Sequence, residues 1–214
     1  MSAKLKYFTK AEWTLWGVSV LMIVGTFLLF QQSDYLSLTA SLIGVTSLIF
    51  NAKGNPLGQV LGIAFCLLYG YISFTCAYYG EMITYLGMTA PMSLYALICW
   101  LRHPFSAGRA EVKVGSISRR EGVFAVGLSL AVTVVFYFIL RAFGTANLLP
   151  STLSVTTSFL AVYLTARRSP AFAAAYAAND LVLILLWGLA ALEDPAYLSV
   201  VVCLVMFFAN DIYG

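Results

Sequence analysis

Two Asn-Asp pairs stand inside long apolar runs of this chain, Asn179-Asp180 near the middle of one run and Asn210-Asp211 in another. A carboxylate in hydrocarbon costs about 2.5 to 3.5 kcal/mol even on the most lenient insertion scale, so an acid at that depth carries a function or a partner. No lysine or arginine falls at the same depth. Compensation must come from a proton, from a hydroxyl or amide neighbour, or from a cationic ligand. The same runs carry Tyr176, Trp187 and Tyr213, and earlier runs carry Tyr69, Tyr71, Tyr85 and Tyr95. Aromatic faces attract a delocalised cation and stack on a flat ring. An asparagine amide both donates to and accepts from a ribose or carboxamide. The spacing of Tyr176, Asn179 and Trp187 puts all three on one helix face. Asn and Asp in spanning helices also serve as hydrogen-bond glue between helices, and from the residues alone both readings stand.

These residues need a scaffold, and the composition defines its solvent. With 61% hydrophobic and 10% charged residues over 214 positions, the chain is too apolar for a soluble domain and divides almost entirely into spanning segments. The fold expected is all-α, a polytopic bundle of about eight transmembrane helices. Breaks at charges, prolines and polar clusters place them near 13–30, 35–50, 57–79, 82–101, 122–143, 148–166, 171–192 and 196–214. Lys4, Lys6 and Lys10 precede the first run, which lacks a small-residue cleavage site and reads as a retained helix. With these spans every lysine and arginine except Arg141 falls on one side, while Asp34, Glu81, Glu193 and Asp194 fall on the other. The positive-inside rule then predicts both termini in the cytoplasm.

Residues 34–101 and 148–214 each read as three spans with a proline-bearing loop after the first (Asn55-Pro56, Ser169-Pro170) and an acidic loop after the second. The expected organisation is an N-terminal tail and extra helix over 1–33, a first three-helix repeat over 34–101, a loop and linker helix over 102–147, and a second repeat over 148–214. An odd number of spans plus one linker makes the repeats parallel, as in sugar-carrier folds with a midplane site between the halves. Pro91 is expected to kink the fourth span and free a carbonyl beside a cavity. Trp13, Trp16, Trp100 and Tyr197 read as interface anchors, and Cys66, Cys76, Cys99 and Cys203 as packing residues.

Several function classes are excluded. The only histidine, His103, lies in a loop, which removes an intramembrane metalloprotease and a serine hydrolase dyad. A retinal Schiff base needs a lysine in a late helix, and there is none. No phosphate-binding glycine loop is present, no cofactor motif is found, and the basic residues are too scattered to follow a nucleic acid backbone. What remains is a carrier of a small solute in the lipid bilayer, or a membrane receptor that docks a partner through the basic loop 102–121.

At particular residues the chain resembles the PnuC family of vitamin-precursor transporters. Gly62-Ile63-Ala64, Tyr78-Tyr79-Gly80-Glu81, and Tyr95 followed by Trp100 look like the family's first repeat. Arg167-Arg168, Tyr176, Asn179 and the ending Asn210-Asp211-Ile212-Tyr213-Gly214 look like the second, with Ser93 where the first repeat carries an asparagine. The resemblance implies facilitated diffusion of nicotinamide riboside by alternating access, a homotrimer, an intracellular kinase that traps the substrate, and a bacterial plasma membrane. It implies a substrate site drawn from Tyr176, Asn179, Asp180, Trp187, Asn210, Asp211, Tyr213, Tyr95 and Ser93. Thiamine, another vitamin or another nucleoside is the alternative cargo.

Overall fold

A computed structural model describes residues 7–30, 35–75, 79–106, 111–145, 147–193 and 197–214. Lys4, Lys6, Asp34, Cys76, Tyr78 and Asp194, all used in the sequence reading, lie outside the described residues. In hydrocarbon every backbone amide needs an internal partner, and apolar runs of this length meet that demand as helices. The helices are α1 (Lys10–Phe30), α2 (Tyr35–Ala52), α3 (Pro56–Thr75), α4 (Tyr79–Ile83), α5 (Ala90–Leu101), α6 (Arg119–Ala142), α7 (Leu148–Ala166), α8 (Phe172–Glu193) and α9 (Leu198–Tyr213). A π-helical turn, Thr84–Thr89, joins α4 to α5, so these three pieces form one span. Among the described residues seven spans are long and apolar enough to cross a bilayer, and α9 is a shorter apolar helix.

Within each half the successive helices are neighbours: α2 packs on α3 and α3 on α5, then α7 on α8 and α8 on α9. The halves meet where α2 lies against α9 and α7 against α5. The first helix, α1, packs against α2 and α9, and α6 packs against α7 and α4. One apolar cluster, Ile23, Val45, Cys203 and Phe207, ties α1 and α2 to α9. Another, Met88, Leu140, Val155 and Phe159, ties the π-turn to α6 and α7.

The basic end of the bundle is closed by hydrogen bonds and ion pairs. Thr9 and Glu12 form a reciprocal capping box at the start of α1, with Glu12 N donating to Thr9 Oγ1 (3.2 Å) and Thr9 N to Glu12 Oε2 (2.6 Å). Glu12 then pairs with Lys53 at the end of α2 (2.8 Å). At the start of α6, Ser118 Oγ accepts from Glu121 N (3.2 Å), and Glu121 pairs with Arg167 at the end of α7. That carboxylate holds the exposed Arg167 guanidinium above its ordinary value. Between α5 and α6 the chain crosses both helix ends as a strap. Val112 N donates to Gly54 O (2.8 Å) and Gly115 N to Arg168 O (2.9 Å). Gly54 and Arg168 both have left-handed backbones, φ +64° and +58°, which turn their carbonyls toward the strap.

Several anchors expected at the interface are elsewhere. Trp100 is fully buried, because its indole N–H donates to Thr165 O (2.7 Å) and ties α5 to α7. Trp16 donates to Thr46 on α2 (3.2 Å). Tyr197 packs against Trp187, their ring centroids 5.4 Å apart, at the edge of an internal cavity.

Candidate functional site

The cavity has a volume of about 200 Å³ and lies between α2, α3, the π-turn, α8 and α9, with Ile23 and Phe27 of α1 closing one side. Its shape follows from the irregular fourth span. Proline at position 91 has no N–H and would crowd the carbonyl four residues back in a regular helix. The preceding turn instead widens, and Ala90 N donates to Tyr85 O, five residues back. The kink expected from Pro91 is thus a π-turn, and it aims Tyr85, Thr89 and Ser93 into the cavity.

The aromatic wall is continuous. Tyr69 stacks on Phe65 (5.5 Å), meets Tyr85 (4.6 Å) and approaches Trp187 edge-on (6.4 Å). Phe65 in turn meets Phe207 of α9 (5.7 Å). Close helix approach behind this wall requires Gly44, where a Cβ would lie 2.5 Å from the Phe207 ring.

The polar wall is acidic and amidic. Asp180 and Asp211 are both buried, both line the cavity and are close enough for their carboxyl groups to share a hydrogen bond, which needs a proton on one of them and leaves the pair one negative charge. Asp180 Oδ2 is buried without a hydrogen-bond partner among the described residues. Among the described residues no lysine or arginine lines the cavity. Asn179 Oδ1 accepts hydrogen bonds from Thr157 (2.7 Å) and Ser158 (2.9 Å) on α7, which fixes the amide plane at the cavity wall. At the basic end, Gln59 Nε2 donates to Asn51 Oδ1 (2.8 Å), and both side chains line the same space.

The structure brings Tyr176, Asn179, Asp180, Trp187, Asp211 and Ser93 together around this one cavity. It places the other three candidates elsewhere. Asn210 is buried against α1, donating to Ser19 Oγ (3.0 Å) and to Met206 O (2.7 Å). Tyr213 is half-exposed and donates to Glu12 Oε1 (3.3 Å). Tyr95 faces outward from α5 and is 54% exposed. Conversely, Asn51, Gln59, Ser158, Phe65 and Phe207 line the cavity without having been singled out, and Cys66 and Cys203 also line it, Cys203 while packing in the apolar cluster with Ile23, Val45 and Phe207. Asn51 and Gln59 were discernible as polar residues flanking the Asn55-Pro56 loop; the apolar residues carried no distinguishing signal.

The arrangement is a partly open aromatic cavity with an acidic pair at its polar side and no basic residue lining it among the described residues, suited to a flat cation bearing hydrogen-bonding substituents. The sequence pattern of the family described as Nicotinamide mononucleotide transporter matches residues 34–214. The chain belongs to that family. A relative named nicotinamide riboside transporter PnuC, from Neisseria mucosa, is 26% identical over 204 residues, which is 94% of this chain and 78% of the relative. The solved structure titled "Crystal structure of the Vitamin B3 transporter PnuC" superposes with a TM-score of 0.83 at 24% identity, covering 96% of this chain and 89% of that one. That likeness establishes the fold. As a member of the nicotinamide mononucleotide transporter family, the chain is a multi-pass membrane transporter. The family match begins after α1, although α1 contributes to the cavity wall and holds Asn210.

Proposed function

We propose that the chain carries nicotinamide riboside across a bacterial plasma membrane by facilitated diffusion, with the central cavity as the site that is exposed to each side in turn. The observation that carries this reading is the buried acidic pair Asp180 and Asp211, with Asp180 Oδ2 unpartnered and no basic residue lining the cavity among the described residues. The pyridinium of the riboside supplies the missing charge, and the Tyr69, Tyr85 and Trp187 faces accept its ring. Asn179 and Ser93 are placed to meet the carboxamide and ribose.

The same charge arrangement favours the riboside over the mononucleotide. A phosphate would enter a space containing Asp180 and Asp211 and find no cation to pair with. An intracellular kinase that phosphorylates the riboside would therefore also prevent its return through this site. With the basic end facing the cytoplasm, both termini lie on that side, and a homotrimeric assembly is part of the same proposal. The chain then performs no chemistry on its cargo.

Calorimetric titration of purified protein with nicotinamide riboside, nicotinamide mononucleotide and thiamine tests this. The riboside should bind at least about tenfold more tightly than the mononucleotide, a difference of roughly 1.4 kcal/mol. In reconstituted vesicles, Asp180→Asn should reduce riboside uptake by about tenfold or more while folded protein remains in the membrane. Preferential binding of thiamine would keep the cation argument and change the vitamin. Tighter binding of the mononucleotide would overturn it.

A further inference from the structure

A second cavity, of about 190 Å³, opens at the end of the molecule opposite the strap. It lies between α4, the turn that follows α6, the start of α7 and the last turns of α8. Trp187 lines both this space and the central cavity, and among the described residues no other does. Glu81 is the one acid among the described residues on its wall, and no lysine or arginine among them lines it. Among the described residues Glu81 has neither a hydrogen-bond nor an ion-pair partner. Arg141, at the end of α6, is exposed and does not reach the cavity.

The wall around Glu81 is closely built. Gly144 has φ +65° and Asn147 φ +52°, so the chain reverses twice between α6 and α7 and brings Thr145 against α4. Only a glycine at position 80 permits that approach, since a Cβ there would lie 2.6 Å from Thr145 Oγ1. The Thr145 hydroxyl is itself buried without a hydrogen-bond partner among the described residues. Tyr79 and Phe143 flank the mouth with ring centroids 6.5 Å apart. An unpaired carboxylate, an unpaired hydroxyl and aromatic edges thus surround a space that touches the central cavity through one indole.

We propose that this second cavity is a separate vestibule site for an aromatic cation, in which Glu81 holds the charge before the ring passes Trp187 into the central cavity. The identity of the cargo rests on the function proposed above, whereas the vestibule's affinity for a pyridinium does not. Electrostatic capture at a vestibule raises the local concentration of a cation ahead of the slower conformational step. Trp187 is then the partition between the two sites, with one face toward each.

The test uses N-methylnicotinamide, a pyridinium without ribose, and reads quenching of Trp187 emission as the difference between the full chain and its Trp187→Phe variant. In an Asp180→Asn background the central charge is removed, and saturable quenching of Trp187 should persist. Adding Glu81→Gln should then raise the half-saturating concentration about tenfold, as loss of one carboxylate-cation contact requires, while Glu81→Asp should stay within about threefold of the parent. Should Glu81→Gln fail to yield monodisperse protein, Ala190→Lys, which puts a positive charge on the same wall with Glu81 retained, should cause the same loss. Half-saturation unchanged by Glu81→Gln or Ala190→Lys overturns the vestibule. Glu81-dependent quenching in a protein that does not bind nicotinamide riboside would leave the vestibule standing and remove the riboside assignment; riboside binding with Glu81-independent quenching would do the reverse.

Discussion

Asn179 and Asn210 each precede an aspartate in a membrane helix, yet their amides do different work. Asn179 receives two hydroxyl hydrogen bonds from α7 and stands on the cavity wall, while Asn210 turns to α1 and donates to Ser19 and to a helix carbonyl. Asn210→Ala should therefore lower the stability of the folded protein by about 1 kcal/mol and leave riboside affinity within about twofold. Asn179→Ala should do the opposite, costing about tenfold in affinity with a small change in melting temperature. Thermal melting and calorimetric titration of the two variants separate these outcomes. From the sequence Asp180 and Asp211 were expected at comparable depth; Asp180 lies eight residues into α8 and Asp211 two residues from the end of α9, about 12 and 3 Å at helical rise, yet both line the same cavity. The sequence did not separate the asparagines. Which face of a helix meets a neighbour depends on the packing partner, and α1 had no assigned place before the structure put it against α9.

At the scale of the element, the spans were legible because apolar runs long enough to cross hydrocarbon are broken by charges and prolines. The widened turn before Pro91 was not. A proline announces a disturbance without saying whether the helix bends or gains a residue in one turn. Here the turn gains a residue, and this sets the rotation of Tyr85 relative to Ser93. Pro91→Ala should let the span relax toward regular α-helix, preserving or raising the melting temperature while weakening riboside binding about tenfold. A variant that binds like the parent would show that the turn is held by its neighbours rather than by the proline. The ends of the spans carry a second pattern. Glu12 pairs with the end of α2 as Glu121 pairs with the end of α7, each from the third position after a hydroxyl cap. The helices expected as an extra segment and a linker thus carry matching ion pairs at their starts. Glu12 is buried and Arg167 is half-exposed. Glu12→Gln should accordingly cost more stability, about 1 to 2 kcal/mol, than Glu121→Gln, which should cost under about 1 kcal/mol. Denaturation in detergent reads the difference.

Over the whole molecule, the proposed alternating access opens the central cavity to the basic end by separating the α2–α3 and α7–α8 turns, and the strap is bonded to both. Its amides at Val112 and Gly115 reach carbonyls at Gly54 and Arg168, one in each half. From sequence this loop was an orientation signal, because its charges are visible and its backbone hydrogen bonds are not. Two cavity-lining thiols report on the state of the strap, since Cys66 and Cys203 are buried when the basic end is closed. Val112→Pro removes the donor to Gly54 and leaves the covalent connection intact. In a background with Cys76 and Cys99 replaced by serine, that variant should react with a water-soluble maleimide about tenfold faster at Cys66 and Cys203, the increase expected from losing roughly one hydrogen bond of closing energy. Added nicotinamide riboside should slow the reaction again, because a ligand enclosed by the cavity stabilises the closed form in proportion to its occupancy. An unchanged labelling rate in a variant that melts like its parent would mean that closure of the basic end is carried by the Glu12–Lys53 and Glu121–Arg167 pairs, with the strap following rather than holding them.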